Sequence, residues 1–126
     1  MNDDEAEHFE MYLEDTEQQI DALCEALKFW QQDPAGEAWR RESLRLLHAM
    51  EGAAGAMEFE SVRGLTQCLN RQFNRVGSPN EPIDPLAMDR LLRGVHFLRV
   101  CNERLRAGKS LDTAAELMDQ LRAAQQ

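Results

Sequence analysis

The residues whose types and spacing could do chemistry lie between positions 44 and 59. His48 stands in an apolar pattern of helical period, and Gly52 and Gly55 follow it four and seven residues later. These spacings place the three residues on one helical face. Because a glycine inside a helix costs about 0.5–1 kcal/mol relative to alanine, two glycines beside one histidine predict a face kept clear for a partner.

A histidine on such a face can act as a nucleophile toward phosphorus. At neutral pH an imidazole with a pKa of about 6.5 is mostly uncharged, so a ring nitrogen offers its lone pair without a general base. The phosphoramidate that forms can be passed to an aspartate of another protein. Such a site needs an accessible nitrogen, an acceptor that orients the other nitrogen, and clearance for the incoming domain. Spacing alone leaves open that His48 is an ordinary surface or core-edge histidine.

Several polar residues are expected to lie near His48. If the second and third helices form a hairpin that turns at Phe59, residues equally far from the turn lie at the same height. His48 and Asn70 are each eleven residues from Phe59, and Glu51 and Gln67 are each eight residues from it. The sequence therefore predicts one polar patch from these side chains. Further polar residues expected beside it are Arg45, Arg71 and Asn74.

Apolar residues at intervals of three and four predict five helices and no strands. The predicted helices span about 4–32, 37–57, 61–76, 85–107 and 111–124. Asp84 and Pro85 are typical of the N-cap and first position of a helix, which sets the start of the fourth. Because short connections favour antiparallel neighbours, the predicted fold is all-α. It is an up-and-down antiparallel four-helix bundle with an additional C-terminal helix, formed by residues 1–126 as a single domain.

Charge is distributed unevenly along the chain. Between Asn2 and Glu25 there are ten acidic residues and no Lys or Arg, and the formal net charge is −9. Basic residues cluster later, at Arg90, Arg93, Arg99, Arg104, Arg106 and Lys109. The overall sign disfavours a nucleic-acid partner, and the separation predicts two solvated faces that attract each other. No apolar run long enough for a membrane span and no signal peptide are recognisable, so we expect a cytoplasmic protein without membrane association.

The metal and hydrolase patterns are missing from the sequence. The chain has three cysteines, Cys24, Cys68 and Cys101, which are far apart in the sequence and form no C-x-x-C pair. This spacing favours reduced cysteines in the core over a disulfide framework or a zinc site. A dimetal bundle needs two E-x-x-H motifs, and only Glu5 and His8 form one. His8 and His96 are interpreted as structural or solvent-exposed. No G-x-S-x-G motif occurs. We therefore expect no metal and no cofactor in this chain.

The segment H-A-M-E-G-A-A-G, from His48 to Gly55, resembles the H-x-[L/I]-K-G-x-[A/S] signature of histidine phosphotransfer (HPt) domains. Within that family it is most similar to the amino-terminal domains of CheA-type chemotaxis kinases. The position of Phe59, the loop at 76–85, the leucine-rich fourth helix and the Gly-Lys turn before a fifth helix extend the resemblance over nearly the whole chain.

The resemblance implies a role in a two-component or chemotaxis-type phosphorelay. His48 would be the phosphoacceptor, a histidine kinase catalytic domain the donor, and a response-regulator receiver domain the acceptor. The sequence has no ATP-binding glycine-rich segment, so the chain is expected to be a phosphocarrier that cannot phosphorylate itself. It remains open whether it is a separate protein or a fragment of a larger histidine kinase.

Departures from the family pattern cluster around His48. Glu51 stands in place of the family's lysine, Gln67 and Asn70 in place of a supporting histidine and glutamate, and Glu58 in place of a glycine. A glutamate about 6 Å from a phosphoryl group costs on the order of 1–2 kcal/mol, and the exchange of lysine for glutamate could slow transfer by roughly one to three powers of ten.

Two consequences follow from these departures. Arg45 or Arg71 could replace the lost positive charge, since either is close enough along the helices to reach the phosphoryl position. The alternative function is a pseudo-HPt binding or regulatory module. It would dock a receiver or kinase domain through the face of His48, Gly52 and Gly55 without efficient phosphorylation.

Overall fold

The computed structural model describes residues 2–33, 35–76, 83–109 and 111, and this part of the chain contains four α-helices and no strand. The helices are α1 (Asp3–Gln32), α2 (Glu37–Ala56), α3 (Glu60–Arg75) and α4 (Pro85–Arg106). Their ends lie within one residue of the predicted ones, and the all-α fold class is confirmed. Apart from Leu111, the predicted fifth helix at 111–124 lies outside the described residues. The same is true of 77–82 in the predicted loop.

Each helix packs against its neighbours in the chain, and α1 also packs against α4. The four helices therefore form a ring in which α2 and α4 are diagonal. Their apolar faces meet in one core, where the indole of Trp30 stacks on the ring of Phe73 at 5.6 Å. Cys68 and Cys101 are buried and Cys24 is half-buried, and none of them forms a disulfide.

The turn between α2 and α3 fixes the register of the hairpin. The backbone NH of Phe59 donates to the carbonyl of Ala54 at 2.9 Å. The Phe59 ring lies edge-on to Phe9 and Tyr12 of α1, with centroids 6.1 and 5.2 Å away. Glu58 reverses the chain in the left-handed region, with a φ of 61°. A residue with a Cβ is strained in this region, which gives a physical reason why the family pattern has a glycine where this chain has Glu58.

The acidic face of α1 and the basic residues of α4 attract each other, as the charge distribution predicts. Arg99 binds Asp21 at 2.8 Å, and Arg106 binds Glu10 at 2.8 Å and Glu17 at 3.6 Å. Because all of these side chains are at least one-third exposed, each pair contributes at most about 1 kcal/mol. These ion pairs therefore contribute more to the choice of α4 as the neighbour of α1 than to the stability of the bundle.

No helix in the described ranges is long and apolar enough to span a bilayer. The cytoplasmic location stays a prediction.

Candidate functional site

His48 lies near the middle of α2, on the side of the helix that faces away from the core. Its neighbours Leu47 and Met50 are buried, at 0% and 1% exposure, and fix the orientation of the helix on the bundle. The His48 side chain is 83% exposed. Its ring nitrogens are therefore accessible to a group arriving from solvent.

One open depression of about 510 Å³ between α2 and α3 collects the polar residues expected around His48. It is lined by Leu44, Arg45, His48, Glu51, Gln67, Asn70, Arg71 and Asn74. The structure thus brings together the four residues of the predicted patch, His48, Glu51, Gln67 and Asn70. The three further polar residues expected beside the patch line the same depression. What each side chain does there depends on its own partners.

Glu51 is held between the two helices and points one oxygen at His48. Its Oε1 accepts a hydrogen bond of 2.9 Å from Nε2 of Gln67. Its Oε2 lies 3.8 Å from Nδ1 of His48, and the Glu51 side chain is only 24% exposed. The residue that replaces the family's lysine is therefore a fixed carboxylate beside the imidazole, with the charge opposite to that of lysine.

Asn70 lines the same depression as His48. No hydrogen bond joins the two side chains, and Nδ2 of Asn70 is buried with no partner in the described part of the chain. A buried donor without a partner is uncommon and costs about 1–3 kcal/mol.

The two arginines of the depression differ in their partners. Arg45 donates to Glu42 of its own helix, with Nε 2.9 Å from Oε2, and this hydrogen bond lowers the pKa of the Glu42 carboxyl. Arg71 is exposed and makes no hydrogen bond or ion pair with another described residue. Arg71 is therefore the better placed of the two to supply the positive charge that Glu51 removes.

The glycine side of His48 is open. A second depression is lined by His48, Glu51, Gly52, Gly55 and Arg63. A Cβ added at Gly52 would meet nothing within 4 Å, and one added at Gly55 would meet only Arg63, at 3.6 Å from its Cδ. Neither glycine is required for packing within the described part of the chain.

Arg63 is the site residue that the sequence analysis missed. It lies four residues after Phe59, as Gly55 lies four before it, so the count that placed Gln67 opposite Glu51 would also have found Arg63. Its Nη1 is 3.3 Å from Oε2 of Glu60, one turn earlier in α3. Together with Arg45 and Arg71, it places cationic side chains on both sides of His48.

The other histidines lie apart from this site. His8 and His96 are exposed on α1 and α4, and His96 lies edge-on to Phe97. Within the described ranges, no three His, Cys, Asp or Glu side chains are grouped as a metal ion would require.

Comparisons with known proteins agree on one kind of domain. The family model described as the Hpt domain matches residues 7–126. The chain is 24% identical over 106 residues to the chemotaxis protein CheA of Halobacterium salinarum, and the match covers 84% of this chain. It covers only 16% of that protein, so the chain spans about a sixth of the length of this curated relative. No solved structure shows significant similarity to the chain.

Proposed function

Because the chain belongs to the Hpt domain family, we propose that it is a phosphorelay module in which His48 carries the phosphoryl group. The donor is the catalytic domain of a histidine kinase, and the acceptor is the aspartate of a response-regulator receiver domain. The observation that carries the proposal is the 83% exposure of His48 between an arginine-lined depression and a clear glycine face. This arrangement supplies the accessible nitrogen and the clearance that such a transfer needs.

The charges around His48 support binding of a phosphoryl group. Transfer passes through a state whose charge is spread over the phosphoryl oxygens, and positioned cations stabilise it. Arg71 has no partner in the described part of the chain, and Arg63 lies on the opposite side of His48. These two cations oppose the repulsion from Glu51, and the exposed site weakens every one of these interactions.

The glycine face supports docking of a whole domain. A receiver or kinase must bring its reacting group to within bonding distance of His48, and its backbone has to approach α2 closely. Gly52 is exposed with open space around its Cα, and Gly55 meets only the flexible side chain of Arg63. The same face therefore serves donor and acceptor in turn, and they bind alternately.

The alternative function is a binding or regulatory module that docks these partners without efficient phosphorylation. The fixed Glu51 carboxylate, 3.8 Å from His48, favours it. A negative charge at this position opposes a phosphoryl group of charge near −2 by about 1–2 kcal/mol in high dielectric. That energy corresponds to roughly tenfold in rate, which slows the reaction without abolishing it.

A labelling experiment separates the two functions. The full chain is incubated with a CheA-type kinase catalytic domain and ATP labelled at the γ-phosphate, in parallel with His48→Gln. We expect acid-labile label on the wild type, none on the variant, and loss of label when a receiver domain is added. No label on the wild type, with donors that phosphorylate another Hpt domain, would refute phosphotransfer. Receiver binding that is retained by the wild type and lost in Gly52→Leu would then support the alternative.

A further inference from the structure

The two carboxylate oxygens of Glu51 have separate partners, which suggests that Glu51 does more than repel a phosphoryl group on His48. One carboxylate oxygen is bound by Gln67 of α3 at 2.9 Å, while the other lies 3.8 Å from Nδ1 of His48. We propose that Glu51, held in place by Gln67, is a positioning residue that keeps the proton of neutral His48 on Nδ1 and leaves Nε2 as the nucleophile. This inference rests on the proposed function for its catalytic meaning, but the tautomer itself can be measured without it.

The direction of the contact follows from the chemistry of the two groups. An ionised carboxylate can only accept hydrogen bonds, while a neutral imidazole has one NH donor and one acceptor nitrogen. The nitrogen that faces Oε2 is Nδ1, so the proton is favoured there. At 3.8 Å the pair is longer than a hydrogen bond, and a small rotation of the exposed His48 ring would close it. Catalytic hydrogen bonds are often long before the partner binds.

Gln67 determines which oxygen of Glu51 faces His48. Glu51 and His48 are one turn apart on α2, so their side chains are neighbours on the helix surface. A free glutamate there would sample several rotamers in water, but the bond from Gln67 fixes Oε1 and leaves Oε2 toward the ring. Among the described residues, no other side chain makes a hydrogen bond or ion pair with His48. Glu51 is therefore the carboxylate that the described part of the chain places nearest to Nδ1 as an ion-pair partner.

The tautomer decides which nitrogen reacts. The lone pair of Nε2 forms a bond to the γ-phosphorus of ATP, while the bond from that phosphorus to the bridging oxygen breaks and ADP leaves with the electron pair. The ring becomes an imidazolium with its proton on Nδ1, next to Glu51. This proton passes to the carboxylate and then to water, leaving a neutral phosphorylated ring.

Transfer onward runs the same steps in the opposite order. Glu51 returns a proton to Nδ1, the aspartate oxygen of the receiver bonds to phosphorus, and the N–P bond breaks with its electron pair returning to Nε2. Glu51 thus stabilises the ring in both directions although it repels the phosphoryl group.

The experiment measures the tautomer of His48 in the full, ¹⁵N-labelled chain by long-range ¹H–¹⁵N correlation, at a pH more than about one unit above the usual histidine pKa. An unrestrained histidine in water favours the proton on Nε2. We expect wild-type His48 to carry it mainly on Nδ1 and Glu51→Ala to revert to the Nε2 form. We expect Gln67→Leu to lie between them. In Glu51→Gln, an amide oxygen can still accept from Nδ1, and we expect partial retention of the wild-type tautomer.

Glu42→Ala is the matched control, because Glu42 is a carboxylate on the same helix whose hydrogen bonds go to Arg45 and which forms no ion pair with His48. We expect it to leave the tautomer unchanged. The proposal is overturned if wild-type His48 is mainly in the Nε2–H form, or if Glu51→Ala leaves the wild-type tautomer intact. Should Glu51→Ala fail to fold, the wild-type tautomer and Glu51→Gln decide. No phosphoryl donor is used, so a failure here is distinguishable from a failure of phosphotransfer.

Discussion

Gly52→Leu separates the stability of the domain from its proposed docking function. Gly52 lies inside α2, and a Cβ added there would meet nothing within 4 Å. Replacing a helical glycine by leucine recovers most of the helix propensity that glycine loses, which is about 0.5–1 kcal/mol. The free energy of unfolding should therefore rise by about that amount, and the melting temperature should rise by a few degrees.

The effect on phosphotransfer should be opposite in sign and larger. The leucine side chain projects from the face that carries His48 and occupies the space through which a partner would approach. A displacement of about 1 Å between reacting groups can cost on the order of a hundredfold in rate. We expect the rate of phosphorylation by a kinase domain, and of transfer to a receiver, to fall by about this factor or more.

Two measurements on the same preparations test this prediction. Chemical denaturation followed by circular dichroism gives the unfolding free energy, and labelling with γ-labelled ATP gives the transfer rate. Gly52→Ala should gain similar stability with a smaller loss of rate. His96→Leu places the same apolar side chain on the exposed surface of the diagonal helix α4 and should leave the rate unchanged.

Either of two results would contradict this prediction. A less stable Gly52→Leu would mean that the glycine serves packing within the chain. A stable variant with an unchanged transfer rate would mean that no partner needs the cleared face. Gly94 on α4 provides the contrasting glycine, because an added Cβ would overlap Cδ2 of the fully buried Leu69. Gly94→Ala should cost about 1–3 kcal/mol of stability, as overpacking does.

Three further predictions concern charge, backbone and pH. Arg71→Ala should slow phosphorylation by roughly three- to tenfold in initial-rate labelling, and Arg45→Ala by less, because Arg45 is already paired with Glu42; equal effects would contradict the assignment. Glu58→Gly should raise the unfolding free energy by about 0.5–1 kcal/mol in denaturant titrations, since it relieves a φ of 61°, and a loss would show that the Glu58 side chain stabilises the turn. Burial raises the pKa of Cys101 from 9.0 to about 11 and that of Tyr12 from 10.0 to about 12. The unfolded chain releases these protons first, so stability should fall above about pH 9, by up to about 1.4 kcal/mol per pH unit for each group; a Cys101→Ala variant should show a shallower decline.

The sequence by itself determined the helices and the height of each residue along them. Apolar residues at intervals of three and four fix which face of a helix is buried, and antiparallel helices joined by a tight turn rise by the same amount per residue. Counting from Phe59 was therefore enough to place Glu51 opposite Gln67 and His48 near Asn70. The same physics explains why the acidic α1 and the basic α4 attract each other.

Only the tertiary structure decided which partner each polar side chain takes. Arg45 binds Glu42, Gln67 binds Glu51, and Asn70 makes no hydrogen bond with His48, although Arg45, His48, Glu51, Gln67 and Asn70 line one depression. Long polar side chains have several rotamers of similar energy, and the choice depends on competing partners from a second helix and on burial. Position along a helix fixes where a side chain starts, and the packed bundle fixes where its charged end lies. In the described part of this chain, the bond from Gln67 to Glu51 leaves the other Glu51 oxygen 3.8 Å from Nδ1 of His48, a detail that counting along the helices could not give.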